Sequence, residues 1–524
     1  MTEFRKGAVR IVSNFVRLAA TMLLGLILIR ILLDVLGAEA TGLIDLLGST
    51  IGLAAIVEEV VGSSMIRELG VAHHSGDEET FRRVYNSALV VSAVGAVVTL
   101  GLHGVILGAL PLMDVPQNFL DAAKWFVIAK GVESAAIVFL APLFNMYLVT
   151  ERQVHYNFWL VARRASLVLS AMTLAWMNTL EPLSRLIWFG WISCFLHISI
   201  IFVSVLILVT MDRRMIPIPR LATRQEIRAI LGISGWNIAI FGSQWMGLSA
   251  SQIIMNLHFG LFGNLILGRA AQLGGYARML TTGLSHGLDS VSVRLSSQGN
   301  GGKEIRSILY HSTRLHGLVA FPAVFGMAGL AEPILGLWMK GRLDRPHLLP
   351  DMVTLTRILL IGFLAMAISD NWTKMMYGAG HIRRYTPIVI MGGLVNLALA
   401  LLLVRYFPDS IRYTAPPWAF SLMYLTCYLG LMSRLVTATL EVKLRDLFSP
   451  LVQPLVAAIV CVPVLVLFLF NVAQWTLPWL ITAVASYVLS YAVLCWYIVL
   501  GSEERINLSR VIGQWRGLQG GSLK

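Results

Sequence analysis

The sequence predicts an all-α polytopic membrane protein: about fourteen transmembrane helices, as two pseudo-symmetric six-helix lobes around a central cavity plus two C-terminal helices. Three observations predict it. Of the 524 residues, 57% are hydrophobic and only 13% charged, against about 25% charged in an ordinary soluble domain. The mean hydropathy is +0.74. Apolar runs of about 20 residues, the length that crosses a bilayer, recur almost end to end and in two similar series.

Arg5, Lys6 and Arg10 precede the first run, 11–37, which is too long for a signal-peptide core and lacks a cleavage site. It reads as a first span. Spans at 41–66, 85–111, 120–149, 156–178 and 185–211 complete an N-lobe, residues 1–211. Before the span at 85–111, Ser75 and Glu78 in "HHSGDEETFRRVYN" have the spacing of a capping box. The stretch "DRRMIPIPRLATRQEIR", 212–228, is a basic linker. The C-lobe, 229–440, holds spans at 229–257, 264–292, 308–338, 354–379, 385–405 and 414–438. Residues 441–524 add spans at 449–471 and 477–500 and a tail. Alternating the loops puts about 24 Lys and Arg on the side of the N-terminus and about 7 on the other, which assigns both termini, the linker and the tail to the cytoplasm.

The two lobes read as copies. "IVSNFVRLAATMLLG" and "ISGWNIAIFGSQWMG" set Asn14 opposite Asn237 and Thr21 opposite Gln244 at one constant offset. "FNMYLVTERQVHY" and "TKMMYGAGHIRRY" set Met146 and Tyr147 against Met376 and Tyr377. Two six-helix copies, a basic linker and two extra helices resemble the superfamily of multidrug, oligosaccharidyl-lipid and polysaccharide exporters. The opening, with Asn14, Arg30, Leu36-Gly37 and Thr41-Gly42, is most similar to its polysaccharide branch, as is "VVGSSMIRELG" with Gly62 and Arg67. Thr41 stands where that branch usually has an aromatic residue. The resemblance implies a flippase that moves a polyprenyl-diphosphate-linked oligosaccharide to the outer leaflet of a bacterial inner membrane, by alternating access, for O-antigen, capsule or exopolysaccharide. It further implies membrane lipids, a polysaccharide polymerase and chain-length machinery as partners.

A charge within a span must face a cavity, water or another charge. Within the runs lie Arg17, Arg30, Lys130, Arg163, Arg164, Arg269, Arg278, Arg314, Arg357 and Lys374, against Glu58, Glu59, Glu133 and Asp370, with Asp45 near an outer end. Arg163, Arg164, Arg314 and Arg357 lie close enough to span ends to snorkel. Lys130 with Glu133, and Asp370 with Lys374, have the i,i+3 and i,i+4 spacings of self-neutralising pairs. The remaining set is cationic, and guanidinium forks suit the oxygens of a diphosphate. Substrate contacts are therefore expected from Arg17, Arg30, Arg269, Arg278, Lys130 and Lys374, with Asn14, Asn237 and Gln244 as polar partners. Glu58, Glu59, Glu133 and Asp370 are the candidates for binding a coupling proton or sodium ion, or for forming a gate; a structural ion pair is the alternative reading.

Other classes fit less well. A peptidoglycan-precursor flippase shares the diphosphate, whereas a multidrug cation antiporter would face repulsion from arginines. An enzyme is not expected, because no outer loop is large and only "DVPQNFLDAAK" and "KGRLDRPHLLPD" carry clustered acids. "GNGGKEI", 299–305, lacks the spacing of a phosphate loop, the histidines lack close ligand spacing, and no nucleic-acid partner, metal or cofactor is expected. Cys194, Cys427, Cys461 and Cys495 read as small apolar residues.

Overall fold

The computed structural model describes residues 3–177, 179–285, 288, 292, 302–343, 345, 347–470, 475–501 and 505. The turn at 299–301 and the tail beyond 505 lie outside the described residues. The chain is helical as expected, and twelve helices among the described residues are long and apolar enough to cross a membrane. Two of them are double length. The first, α1 (Glu3–His74), is interrupted at Gly37, and the sixth, α6 (Arg224–Thr282), at Gly260. Counting each limb separately gives the fourteen spans expected, so what the sequence shows as two runs and a gap is one helix broken by a single residue.

That residue has to be glycine. Gly37 sits at φ 83°, ψ 175° and Gly260 at φ 64°, ψ −165°, a region a Cβ all but forbids. Gly260 lies 223 residues beyond Gly37, the same offset that relates Asn237 to Asn14 and Gln244 to Thr21. The duplication read from side chains is thus repeated in the backbone.

Between the two broken helices run α2 (Glu78–Ala109), α3 (Gln117–Val149), α4 (Gln153–Trp176) and α5 (Pro182–Met211). The cap of α2 differs from expectation. Asp77, not Ser75, is the N-cap, and its carboxylate accepts from Glu79 N at 3.0 Å and Thr80 N at 3.3 Å. Ser75 Oγ instead donates to Ala72 O, closing the preceding helix. The Thr80 hydroxyl, then the Thr80 and Glu79 amides, hold the Asp77 carboxyl below the usual range. After α6 come α7 (Gly302–Met339), α8 (Leu348–Gly378), α9 (Ile382–Tyr406), α10 (Ala415–Met423), which continues through a π-helical stretch into α11 (Ser433–Leu440), then α12 (Leu444–Phe470) and α13 (Leu477–Leu494).

The ends of α3 and α8 match in geometry. Glu151 and Gly380 both take positive φ, and the next amides, Arg152 and His381, reach back to Tyr147 O at 2.7 Å and Met376 O at 2.9 Å. This is a Schellman turn in both places. It pairs Tyr147 with Met376, one residue away from the match read in sequence.

Two compact units form: residues 1–276, 338–362 and 382–428, and residues 277–337, 363–381 and 429–524. The first holds a core from Val61 to Ile230 built on the second limb of α1 with α2, α3 and α5, including Met65, Tyr85, Met146 and Tyr147. Close helix approach in this unit depends on small residues. A Cβ at Gly42 would collide with the Leu261 carbonyl, and one at Gly393 would come within 2.7 Å of Ser243 O. Gly42→Val is therefore expected to lower stability by about 1–3 kcal/mol, read as an earlier unfolding midpoint of the detergent-solubilised protein. An unchanged midpoint would mean that this contact does not constrain the helices.

Candidate functional site

In the first unit the second limb of α1 meets α3, α4 and α5 around a cavity of about 290 Å³. Its polar lining is Glu58, Glu59, Ser63, Asn145, Tyr156 and Arg163; the rest is apolar. Both adjacent glutamates reach it, although successive helical residues diverge by about 100°, because the cavity wraps a corner of the limb. Glu58 Oε1 lies 4.0 Å from Arg163 Nη1. Asn237, from the first limb of α6, donates to Ser63 Oγ at 3.4 Å.

Behind Arg163 lies a buried chain of charge. His197 Nε2 donates to the Arg163 carbonyl at 2.7 Å, while its Nδ1 faces Glu133 Oε1 in a very short contact. Lys130 Nζ donates to the other Glu133 oxygen at 2.7 Å and to Ser193 Oγ at 2.8 Å. The hydrogen-bond directions fix a proton. A carbonyl only accepts, so Nε2 carries hydrogen; Nδ1 and the carboxylate can then bond only with one further proton between them. Glu58, Glu59 and Glu133 thus gather three carboxyl groups close to Arg163, Lys130 and His197.

A second cluster joins α1 to the later limb of α6. Asp45 pairs with Arg269 in a very short contact, Arg269 Nη1 donates to Gln272 at 2.8 Å, Gln272 donates to Tyr276 Oη at 2.7 Å, and Tyr276 donates to Met22 O at 3.3 Å. Gly268 makes room for the Asp45 carboxylate, and Gly25 for Tyr276 and the Arg164 guanidinium. The first limb of α1 is seamed to α4 by Asn157, which donates to Ser13 at 2.9 Å and Asn14 at 2.8 Å, with Gln153 on Asn14 at 3.2 Å. One turn above lies Arg17. Arg17 and Arg164 are partly buried, each with a buried Nε lacking a partner, and neither is in an ion pair among the described residues.

The sequence candidates thus separate. Glu58, Glu59, Glu133, Lys130 and Asn237 come together at or behind the cavity; Asn14 and Arg17 lie on the adjoining seam; Arg269 is neutralised by Asp45. Arg30 and Gln244 are exposed and join none of these groups. The Lys130–Glu133 pair forms as spaced. The pair expected between Asp370 and Lys374 does not: in the second unit Asp370 takes Arg278 instead, with Nε at 3.1 Å and Nη2 at 3.4 Å, and Lys374 is exposed. A guanidinium fork reaching across from another helix satisfies both oxygens, which one ammonium a turn away does not. Arg163 and Arg164, expected to snorkel, face inward. Arg314 bonds the Val499 carbonyl. His197 was missed, although Gly190, Ser193, His197 and Ser204 make a small-polar stripe of helical period along α5.

No family model matches the sequence and no curated protein matches it. Solved structures are similar to it. The lipid II flippase MurJ, in an inward closed conformation, aligns with a TM-score of 0.67 at 10% identity over 92% of this chain and 97% of its own. An inward-facing multidrug resistance MATE family transporter of the MOP superfamily gives 0.64 at 14% identity over 82% and 99%. A MOP superfamily transporter from Pyrococcus furiosus, described as having a binding pocket of reverse polarity, gives 0.62 at 14% identity over 83% and 96%. At such identities the likeness is one of fold. The chain has the fold of these structures, a multi-pass helical membrane fold.

Lys130 and Glu133 should behave as one unit. Lys130→Met, which strands a buried carboxylate, is expected to cost about 3–5 kcal/mol, and Lys130→Met combined with Glu133→Gln distinctly less. Thermal unfolding of both variants tests this; additive losses would show that the two groups are independent.

Proposed function

We propose that this transporter fold serves a flippase, which carries a polyprenyl-diphosphate-linked oligosaccharide from the cytoplasmic to the outer leaflet of a bacterial inner membrane by alternating access. The observation that carries the reading is the pair Arg17 and Arg164, two inward guanidiniums without a counter-ion among the described residues. A cation held in this state needs an anion. A diphosphate supplies oxygens for both forks and arrives with its own apolar anchor. The glycan would meet Asn, Ser and Tyr side chains such as Ser63, Asn145 and Tyr156, and surface-polysaccharide synthesis would consume the product, with polymerase and chain-length machinery as partners. The similarity to a lipid II flippase supports a lipid-linked substrate of this chemistry, and the peptidoglycan precursor fits the arginines equally.

A multidrug cation antiporter is the second reading, and the cavity lining favours it: two adjacent carboxyl groups, Glu58 and Glu59, line the cavity and suit a cation. Under the first reading the same acids couple transport. A proton or sodium ion binds at Glu58, Glu59 or Glu133, where the His197–Glu133 bond already holds one proton, and the Asp370–Arg278 pair serves as a gate.

Transbilayer movement in proteoliposomes separates the readings. Movement of a polyprenyl-diphosphate oligosaccharide but not of a lipophilic cation is expected, with Arg17→Gln and Arg164→Gln each slowing it about tenfold, the worth of one charge-assisted hydrogen bond. Export of the cation alone would transfer the reading to an antiporter. Glu58→Gln with Glu59→Gln is expected to flatten the dependence on pH or sodium; wild-type behaviour at every pH and sodium concentration would remove the coupling role.

A further inference from the structure

The basic linker between α5 and α6 is not a loose connection. Three consecutive residues of α2 hold its backbone: Tyr85 Oη donates to Met215 O at 2.7 Å, Ile218 N donates to Asn86 Oδ1 at 2.7 Å, and Thr223 N donates to Ser87 Oγ at 3.0 Å. Met215 is buried in the core of the unit. The result is a fixed strap of two single-turn helices, Arg213–Met215 and Pro219–Leu221.

What the strap presents outward is the unusual part. Ile216, Ile218 and Leu221 are 48%, 40% and 37% exposed. Arg213, Arg220, Arg224 and Arg228 are exposed between and beyond them and are in no ion pair among the described residues. Three neighbouring arginines are already matched, Arg214 with Asp212 at 2.7 Å, Arg82 with Glu78 at 2.9 Å and Arg83 with Glu79 at 3.2 Å, and Glu226 is the one acid between Arg220 and Arg228. The height of the strap is fixed too. Tyr85 to Ser87 stand about 10–14 Å along α2 from its start, where the charged first turns give way to the apolar run from Ala88. That is the level at which a crossing helix enters hydrocarbon.

We infer that the strap is an interfacial anchor that binds the headgroups of anionic phospholipids in the leaflet on the N-terminal side, with its isoleucines seated among the acyl chains and its arginines on the phosphates. Apolar side chains held rigidly outward at that level gain by entering lipid, and unmatched arginines beside them select acidic headgroups. The strap also couples the headgroup layer to α2 through Tyr85, Asn86 and Ser87. The inference does not depend on which substrate the transporter carries.

The test uses the full chain in a mild detergent with photoactivatable phosphatidylglycerol, and phosphatidylcholine of the same acyl length as control. Cross-linking is expected within residues 211–231 and to be much weaker with phosphatidylcholine. Arg220→Gln, Arg224→Gln and Arg228→Gln together should weaken phosphatidylglycerol labelling of that segment by about tenfold or more, at roughly fivefold for each arginine near an acidic surface. Ile216→Ser with Ile218→Ser, which leaves every charge in place, should weaken labelling by both lipids. Equal labelling by the two lipids, undiminished labelling of the triple variant, labelling confined to other segments, or full competition by millimolar inorganic phosphate would each overturn the inference.

Discussion

Charge neutrality inside the helix bundle is the constraint on which the polar architecture of this protein depends. A lone ionised side chain between transmembrane helices is costly, and every acid of three buried clusters among the described residues is matched: Asp45 with Arg269, Asp370 with Arg278, Glu133 with Lys130 and His197. These pairs set helix contacts as firmly as apolar packing does, because each partner comes with a fixed direction. Arg278 and Asp370 join α6 to α8, and Asp45 and Arg269 join the two broken helices. Against that background Arg17 and Arg164 stand out as partly buried guanidiniums in no ion pair among the described residues, each with a buried Nε lacking a partner.

The group behind the cavity shows a different use of the same constraint. His197 links the Glu133 carboxyl to the Arg163 carbonyl, with one proton held between ring and carboxyl, so the place of that proton and the disposition of Glu58 and Arg163 are tied together through the Arg163 backbone. The cavity and the buried chain are therefore one electrostatic object.

Most of the fold was legible in the sequence because membrane helices are specified locally. An apolar run of sufficient length is a span whatever surrounds it, which is why all fourteen were found and why Gly37 and Gly260 fell at the expected gaps. Local spacing also gave Lys130 with Glu133. It failed for Asp370, whose partner is chosen by helix packing, and for His197, whose significance depends on Glu133 from α3 reaching it. At the start of α2 two local signals competed, and Asp77 prevailed over Ser75 because it stands immediately before the first helical residue. Which face of Arg163 and Arg164 looks inward follows from the rotation of α4, and nothing in a charge pattern sets that rotation.

The paired glycine breaks also bear on spacing. The first copy and the second stay in step at 223 residues from Asn14 to Gly37, yet by the Schellman turns at Glu151 and Gly380 the step has become 229. The two copies therefore differ by six residues between the glycine break and the later turn. An insertion within a spanning helix turns every later side chain about 100° per residue away from its neighbours, whereas a change in a connection leaves the faces of the helices as they were, so the break and the turn can keep the same geometry in both copies at different separations.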